Sequence, residues 1–126
     1  MLLKALRANG YKIGVATLKR DDYAIEILEH VNIAEHCDVI CGSDFASKMT
    51  KKDVLMRCES LMGLAFSKEG ILIGDTTSDA VGAFEAGADF MAVTFGFGFR
   101  TDGDVKEHPH VFTADTVEDI RAFFGI

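Results

Sequence analysis

The chain has 126 residues, of which 48% are hydrophobic and 26% charged, a balance typical of one small globular domain. Its formal net charge of −7 at pH 7 offers no broad positive surface to a polyanion, which argues against nucleic-acid binding. No apolar run has the length of a membrane span, and the three cysteines form no Cys-x-x-Cys pair. We therefore expect a cytoplasmic protein with reduced thiols and without a zinc site.

Helices alternate with strands in the predicted first half of the chain. In order, the elements are a helix over residues 2–9, a strand over 12–17, a helix from 21 to about 31, a strand over 37–41 and a helix from 50 to about 62. Asp21 and Asp22 are expected to cap the second helix, and Thr50 the third. Helical spacing predicts one apolar face on each of these helices: Tyr23, Ile27, Leu28 and Val31, then Val54, Leu55, Cys58 and Leu61.

The second half continues the alternation. It predicts a strand over residues 71–74, a helix to about 85, a strand over 89–95, a loop over 96–99, a strand over 110–113 and a helix over 116–124. Thr76 or Thr77 is expected to cap the first of these helices, and Gly87 to end it. Such alternation indicates βαβ units, and hence an α/β fold with a mostly parallel sheet over residues 1–126 as a single domain.

Two carboxylates four residues apart follow the strand over residues 71–74. Asp75 comes directly after the strand, and Asp79 lies in the first turn of the next helix. Open α/β sheets bind ligands at this corner, and Mg²⁺ is commonly held by one or two carboxylates, with water and phosphate completing its shell. The corner therefore predicts a magnesium site, with the alternative that Asp75 only caps the helix and Asp79 only favours its dipole.

A second group of residues could bind phosphate at the same edge of the predicted sheet. Thr17 is expected to end its strand, and the backbone N–H of Leu18 follows it. Lys51 begins a helix, where a cation is unfavourable unless it serves a ligand. The alternatives are that Thr17 only caps a turn and that Lys51, like its neighbour Lys52, is a solvated surface lysine.

Two other patterns are weaker evidence for a binding site. The Gly-Phe-Gly-Phe segment at residues 96–99 contains no Gly-x-Gly-x-x-Gly, so a dinucleotide site is disfavoured. His108 and His110 form a lone His-x-His pair with no third ligand, which is more typical of an exposed loop than of a metal site.

The order of these motifs resembles the haloacid dehalogenase (HAD) superfamily, in particular its phosphoglycolate phosphatase-like branch. The resemblance extends from about Leu3 to Phe124. Its segments are Val-Ala-Thr-Leu-Lys at 15–19, Gly-Ser-Asp at 42–44, Thr-Lys-Lys-Asp-Val at 50–54, Ile-Gly-Asp-Thr-Thr-Ser-Asp at 73–79 and Thr-Phe-Gly-Phe-Gly at 94–98. A receiver-like or flavodoxin-like protein fits less well, because no acidic cluster lies near the first strand.

The resemblance implies a magnesium-dependent phosphatase that acts on a small phosphorylated metabolite through an aspartyl-phosphate. Thr17 and Leu18 would bind the phosphoryl group, and Lys51 would neutralise charge on it and on the nucleophile. Asp75 would ligate Mg²⁺, and Asp79 would order the metal shell.

One part of the family pattern is missing from these 126 residues. No apolar strand ends in Asp-x-Asp-Gly-Thr/Val, the motif that supplies the nucleophile, and no cap is inserted after it. We therefore expect a partial Rossmannoid three-layer core that is inactive as this chain, with two open sheet edges through which it could form a homo-oligomer. The alternative is a non-catalytic module that binds phosphate, metal or a partner.

Overall fold

The computed structural model describes residues 2–43, 49–65, 69–96 and 98–126. Its internal contacts divide the chain into two compact units, Met1–Leu64 and Ala65–Ile126. Each unit contains parallel strands alternating with helices, so the predicted α/β class is confirmed. The prediction of a single domain stays a prediction. Within the described ranges, every helix is too short or too polar to cross a lipid bilayer.

The first unit contains a two-stranded parallel sheet. Its elements are α1 (Leu2–Ala8), β1 (Gly14–Arg20), α2 (Asp21–His30), a 3-10 turn (Ala34–His36), β2 (Val39–Ser43) and α3 (Lys51–Met62). The pairing of β1 with β2 is regular from Gly14 opposite Val39 to Ala16 opposite Cys41. The register then shifts before Arg20 pairs with Ser43. The regular part of β1 therefore stops one residue before Thr17.

Three boundary predictions in this unit are wrong. Thr17 does not end its strand, because β1 resumes pairing after the irregularity and extends to Arg20. Strand β2 starts at Val39 instead of residue 37, because Cys37 ends the 3-10 turn, with its backbone N–H bonded to the Ala34 carbonyl. Helix α2 is capped by Arg20 without a side-chain bond. Asp21 and Asp22 lie in its first turn, where they add the expected negative charge.

The prediction of a buried apolar face is largely correct for α3 and wrong for α2. On α3, Val54, Leu55 and Cys58 are buried as expected, whereas Leu61 is 57% exposed. On α2 the buried residue is Ala24, and most of the predicted face is exposed: Tyr23, Ile27 and Val31. The prediction for α2 is wrong because the helix packs on β1 and β2 with Ala24 buried, while the Arg20 guanidinium lies 4.2 Å from the Tyr23 ring centre.

The second unit contains a three-stranded parallel sheet in the order β3-β4-β5. Its elements are β3 (Ile71–Gly74), α4 (Thr77–Ala86), β4 (Asp89–Val93), α5 (Asp102–Val105), β5 (Phe112–Ala114) and α6 (Val117–Phe124). The central strand β4 is the most buried, with Phe90, Met91 and Ala92 at most 2% exposed. The core on one face of this sheet is formed by Ala80, Ala83, Phe90, Ala92, Phe99 and Val105.

The sequence predicted the ends of the strands in this sheet less accurately than their existence. Strand β4 ends at Val93, two residues early, because the backbone N–H and hydroxyl of Thr94 bond to Ala114 and Asp115 in the next corner. Strand β5 covers Phe112–Ala114 instead of residues 110–113, and the short helix α5 was not predicted. In the described residues, β1 pairs with β2 alone and β3 with β4 alone. The two edges expected to be open therefore have no second partner in the described residues, where β2 and β5 are edge strands as well.

Three of the described helices begin with the same Thr-x-x-Asp capping box. The threonine hydroxyl accepts the aspartate N–H, and the carboxylate accepts the threonine N–H. The pairs are Thr50 with Asp53 at α3, Thr76 with Asp79 at α4 and Thr116 with Asp119 at α6. Thr50 is therefore the predicted cap, and of the two candidates at α4 it is Thr76 that serves. Gly87 ends α4 in the left-handed conformation, with φ +76°.

Candidate functional site

In the first unit, the structure brings Lys51 to the end of the regular part of β1. The Lys51 ammonium donates a 2.6 Å hydrogen bond to the carbonyl oxygen of Ala16, the residue before Thr17. Helix α3 starts at Lys51 because Thr50 and Asp53 form its capping box. Lys51 is partly buried and Lys52 is exposed, as the sequence predicted for the second lysine. The chain therefore places a cation beside the predicted phosphate-binding turn.

The turn after Ala16 has its own hydrogen bond. The Thr17 hydroxyl oxygen accepts the backbone N–H of Lys19 at 3.2 Å, which is the turn-capping alternative. A hydroxyl that accepts one bond can still donate its own proton, so Thr17 can serve a ligand as well. Leu18 is 47% exposed.

A second network in this unit was not predicted from the sequence. The Asp21 carboxylate accepts the Gly42 N–H at 2.6 Å, and Arg57 donates to the Gly42 carbonyl at 3.2 Å and pairs with Asp21 at 3.4 Å. A Cβ on Gly42 would meet the Lys19 carbonyl oxygen at 2.5 Å, so the backbones approach closely here. The network fixes the carboxyl end of β2. The sequence offered no signal for it, because the strand before Asp21 was predicted to end at residue 17, whereas β1 extends to Arg20. Asp44, from the quoted Gly-Ser-Asp segment, lies outside the described residues.

In the second unit, Asp75 and Asp79 meet at the corner between β3 and α4. One oxygen of Asp79, Oδ2, accepts the backbone N–H groups of Asp75 at 3.1 Å and Thr76 at 3.3 Å. The alternative in which Asp75 caps the helix is wrong, because the cap is Thr76. Asp79 does charge the first turn of α4, and it also fixes the backbone of Asp75. The two carboxylates therefore differ in their structural roles: Asp79 belongs to the capping box of α4, and Asp75 does not.

A glycine-rich segment borders Asp75. The Phe99 N–H donates to the Asp75 carbonyl oxygen at 2.7 Å. A Cβ on Gly96 would lie 2.7 Å from the Asp75 Cβ, and a Cβ on Gly98 would lie 3.1 Å from the Thr76 Cα. Gly96, Gly98 and Phe99 of the predicted loop thus lie directly against the corner. Phe97 lies outside the described residues.

The corner at β5 and α6 repeats the same backbone pattern. Asp119 Oδ2 accepts the N–H groups of Asp115 at 2.9 Å and Thr116 at 3.1 Å. The side-chain surroundings differ, since the Asp115 carboxylate accepts the Thr94 hydroxyl at 2.6 Å. A capping aspartate alone is therefore no evidence for a metal site, and what distinguishes the first corner is the glycine segment beside Asp75.

The donor set at Asp75 and Asp79 fits a hard cation that keeps several waters. Within the described ranges, no three His, Cys, Asp or Glu side chains form a metal-binding group. A cation in this corner would thus have at most two carboxylates from that part of the chain. Two carboxylates with water and phosphate is a common arrangement for Mg²⁺.

The cysteines of the first unit do not form an activated nucleophile. Burial is the largest cause that raises the pKa of Cys58, to about 12, and burial also raises the pKa of Cys41. Thiolate is the nucleophilic form of cysteine, so both thiols are inert at neutral pH. Cys37 also has a raised pKa, mainly through burial.

The fold and the order of these corners are those of a known class. The chain belongs to the family described as haloacid dehalogenase-like hydrolase, which matches residues 1–93. The resemblance drawn from the sequence motifs is therefore confirmed at the level of the family.

Three relatives show how far the likeness extends. The tyrosine-protein kinase PtkA of Mycobacterium tuberculosis is 34% identical over 127 residues, which cover 99% of this chain and 43% of that protein. The phosphoglycolate phosphatase of Escherichia coli K12 is 26% identical over 98% of this chain and 48% of its own length. The crystal structure of a predicted phosphatase from Clostridium acetobutylicum superposes with a TM-score of 0.90 at 29% identity, covering 99% of this chain and 57% of that one. The chain thus spans about half the length of these relatives.

Proposed function

We propose that this chain supplies the phosphate- and magnesium-binding part of a phosphomonoester hydrolase. The observation that carries the proposal is the bond from the Lys51 ammonium to the Ala16 carbonyl oxygen. It sets a cation at the start of a helix, against the helix dipole, next to a turn with the Thr17 hydroxyl and the exposed Leu18. A lysine in such a place often serves a ligand.

Each residue of the two predicted groups, one in each unit, has a role in this proposal. The Thr17 hydroxyl and the Leu18 N–H bind phosphate oxygens, and Lys51 neutralises their charge. Asp75 holds Mg²⁺, and Asp79 orders the metal shell by fixing the backbone of Asp75. When bound, Mg²⁺ would supply positive charge at the corner of Asp75 and Asp79.

The substrate class is a small phosphorylated metabolite. Two relatives, by their names a tyrosine-protein kinase and a phosphoglycolate phosphatase, both imply movement of a phosphoryl group. The net charge of −7 disfavours a large polyanion, so the anion must be bound by local groups such as Lys51. The three cysteines are free, which supports a reducing compartment such as the cytoplasm.

The test compares two neighbouring lysines in the full chain. We expect inorganic phosphate to bind in the presence of Mg²⁺, with affinity measured by titration calorimetry. Lys51→Met should weaken that binding about tenfold or more, since a charged hydrogen bond contributes about 1.5–3 kcal/mol. Lys52→Met makes the same change in charge at an exposed position and should bind like the wild type. Equal affinities for the two variants would refute the proposal.

We further propose that this chain alone does not turn over a phosphomonoester, because its 126 residues contain no Asp-x-Asp-Gly-Thr/Val strand. Robust magnesium-dependent hydrolysis of p-nitrophenyl phosphate by the chain would contradict this. The second candidate, a non-catalytic binding module, is favoured by the same absence. A version extended by an apolar strand with that motif separates the two, because only the hydrolase should gain turnover.

Self-association through the open edges of β1 and β3 is part of the proposal. Parallel strands are ordinarily paired and covered, and each of these two has one neighbour in the described residues. Size-exclusion chromatography with light scattering should show a dimer or larger species. A monomer with a cooperative melt would count against it.

A further inference from the structure

We propose that Gly96 and Phe99 form a positioning element that fixes the Asp75 carboxylate for metal binding. This inference rests on the proposed magnesium site at Asp75 and adds residues to it from a different part of the chain. None of these residues needs to touch the metal, because they act through Asp75.

The backbone of Asp75 is held from two directions. Its carbonyl oxygen accepts the Phe99 N–H at 2.7 Å, and its own N–H donates to Asp79 Oδ2 at 3.1 Å. With both polar groups engaged, the direction of the Asp75 Cα–Cβ bond is set by the corner and by the glycine segment together.

The side chain of Asp75 lies where a larger residue 96 would be. A Cβ on Gly96 would lie 2.7 Å from the Cβ of Asp75 and closer still to its Oδ2 atom. Real Cβ atoms essentially never approach below 3.0 Å. Rotation about χ1 can move the carboxylate oxygen away, but it cannot move the Asp75 Cβ. An alanine at 96 would therefore separate the segment from the corner.

The segment cannot easily retreat, because Phe99 anchors it in the core. Phe99 is 5% exposed and belongs to the cluster with Ala80, Ala83 and Val105. Its ring meets that of Phe90 edge-on, with centroids 6.4 Å apart. Displacing residue 96 thus either moves Asp75 or disturbs this packing.

The corner between β5 and α6 provides a comparison for Asp75. There Asp115 has the same capping backbone, and its carboxylate is an acceptor for the Thr94 hydroxyl. At the first corner, Gly96 lies against the Asp75 carboxylate. The close approach of Gly96 and the fixed backbone of Asp75 together provide the preorganisation that a ligand to a weakly held cation requires.

The experiment uses Gly96→Ala in the full chain, with Gly103→Ala as the matched control. A Cβ on Gly103 has its nearest neighbour at 3.4 Å, the Thr101 hydroxyl, so the control should be tolerated. We expect Gly96→Ala to weaken Mg²⁺ binding by about 10- to 100-fold in titration calorimetry, as disruption of groups that orient a ligand does. Gly103→Ala should bind like the wild type, and both variants should melt cooperatively.

A measurement on the unmutated chain covers the case in which Gly96→Ala does not fold. During a Mg²⁺ titration followed by NMR, the amide resonances of Gly96 and Phe99 should shift together with that of Asp75, and that of Gly103 should not. Shifts at Asp75 without shifts at Gly96 and Phe99 would overturn the inference, as would wild-type affinity in a folded Gly96→Ala variant. Absence of any Mg²⁺ binding by the wild type would instead refute the proposed metal site, and this inference with it.

Discussion

The repeated corner in the second unit allows capping and metal binding to be separated by one pair of substitutions. Asp79→Ala and Asp119→Ala each remove a carboxylate that accepts two backbone N–H groups at 2.9–3.3 Å. Loss of an N-terminal cap costs about 0.5–2 kcal/mol of the free energy of unfolding. Without metal, we expect about 1–2 kcal/mol from each, with Asp79→Ala the larger because its bonds are partly buried and those of Asp119 exposed.

The assay is urea denaturation of the wild type and both variants, with and without Mg²⁺. A ligand that binds only the folded state adds RT ln(1 + [L]/Kd), about 2.7 kcal/mol at a hundredfold excess over Kd. The wild type and Asp119→Ala should gain this increment from saturating Mg²⁺, and Asp79→Ala should lose most of it. An equal increment for all three proteins would refute the argument that Asp79 serves the metal site as well as the helix.

Three further predictions test the packing and electrostatics. The Ile13 N–H and Arg7 hold the pKa of Asp38 below its usual range. The stabilisation from the Asp38 carboxylate is therefore present above the usual carboxyl pKa and is lost as the pH falls. Asp38→Asn should lower the urea midpoint at pH 7, and the difference from wild type should shrink towards pH 3. Cys58, with its pKa raised to about 12, should resist iodoacetamide at pH 8 in the folded chain and react fully in urea, as counted by intact mass; modification at the same rate in both states would contradict its burial. Met91→Ala removes a side chain with no exposed surface and should cost about 2–5 kcal/mol in the same denaturation assay, whereas a loss below 1 kcal/mol would mean that β4 is not the centre of this core.

The sequence predicted best what local chemistry decides. Candidate capping threonines located the starts of α3 and, to within one residue, α4, and the alternation of apolar strands with helices indicated the parallel α/β class. Both features depend on residues a few positions apart. The family resemblance rested on the same short motifs, which is why it could be drawn from one sequence.

What the sequence could not predict depends on partners that are distant in the chain. Asp21 was expected to be a cap, but its carboxylate bonds to Gly42, 21 residues away. The apolar face of α2 was assigned by periodicity, yet the sheet packs against Ala24 and leaves Tyr23 exposed. The contact of Gly96 with Asp75 was also missed, since a glycine carries no periodic signal and its use is visible only in three dimensions.

The capping boxes also determine how each helix is rotated about its own axis. In every box, the residue after the aspartate is buried: Val54 in α3, Ala80 in α4 and Ile120 in α6. A helix that started one residue later would turn its side chains by about 100° relative to its first turn and carry this residue away from the core. The pentapeptide Thr-x-x-Asp-apolar therefore fixes both the residue at which the helix begins and the face that it buries. It couples the choice of first residue to the choice of inward face, so that the rotation of the helix depends on residues within its first turn.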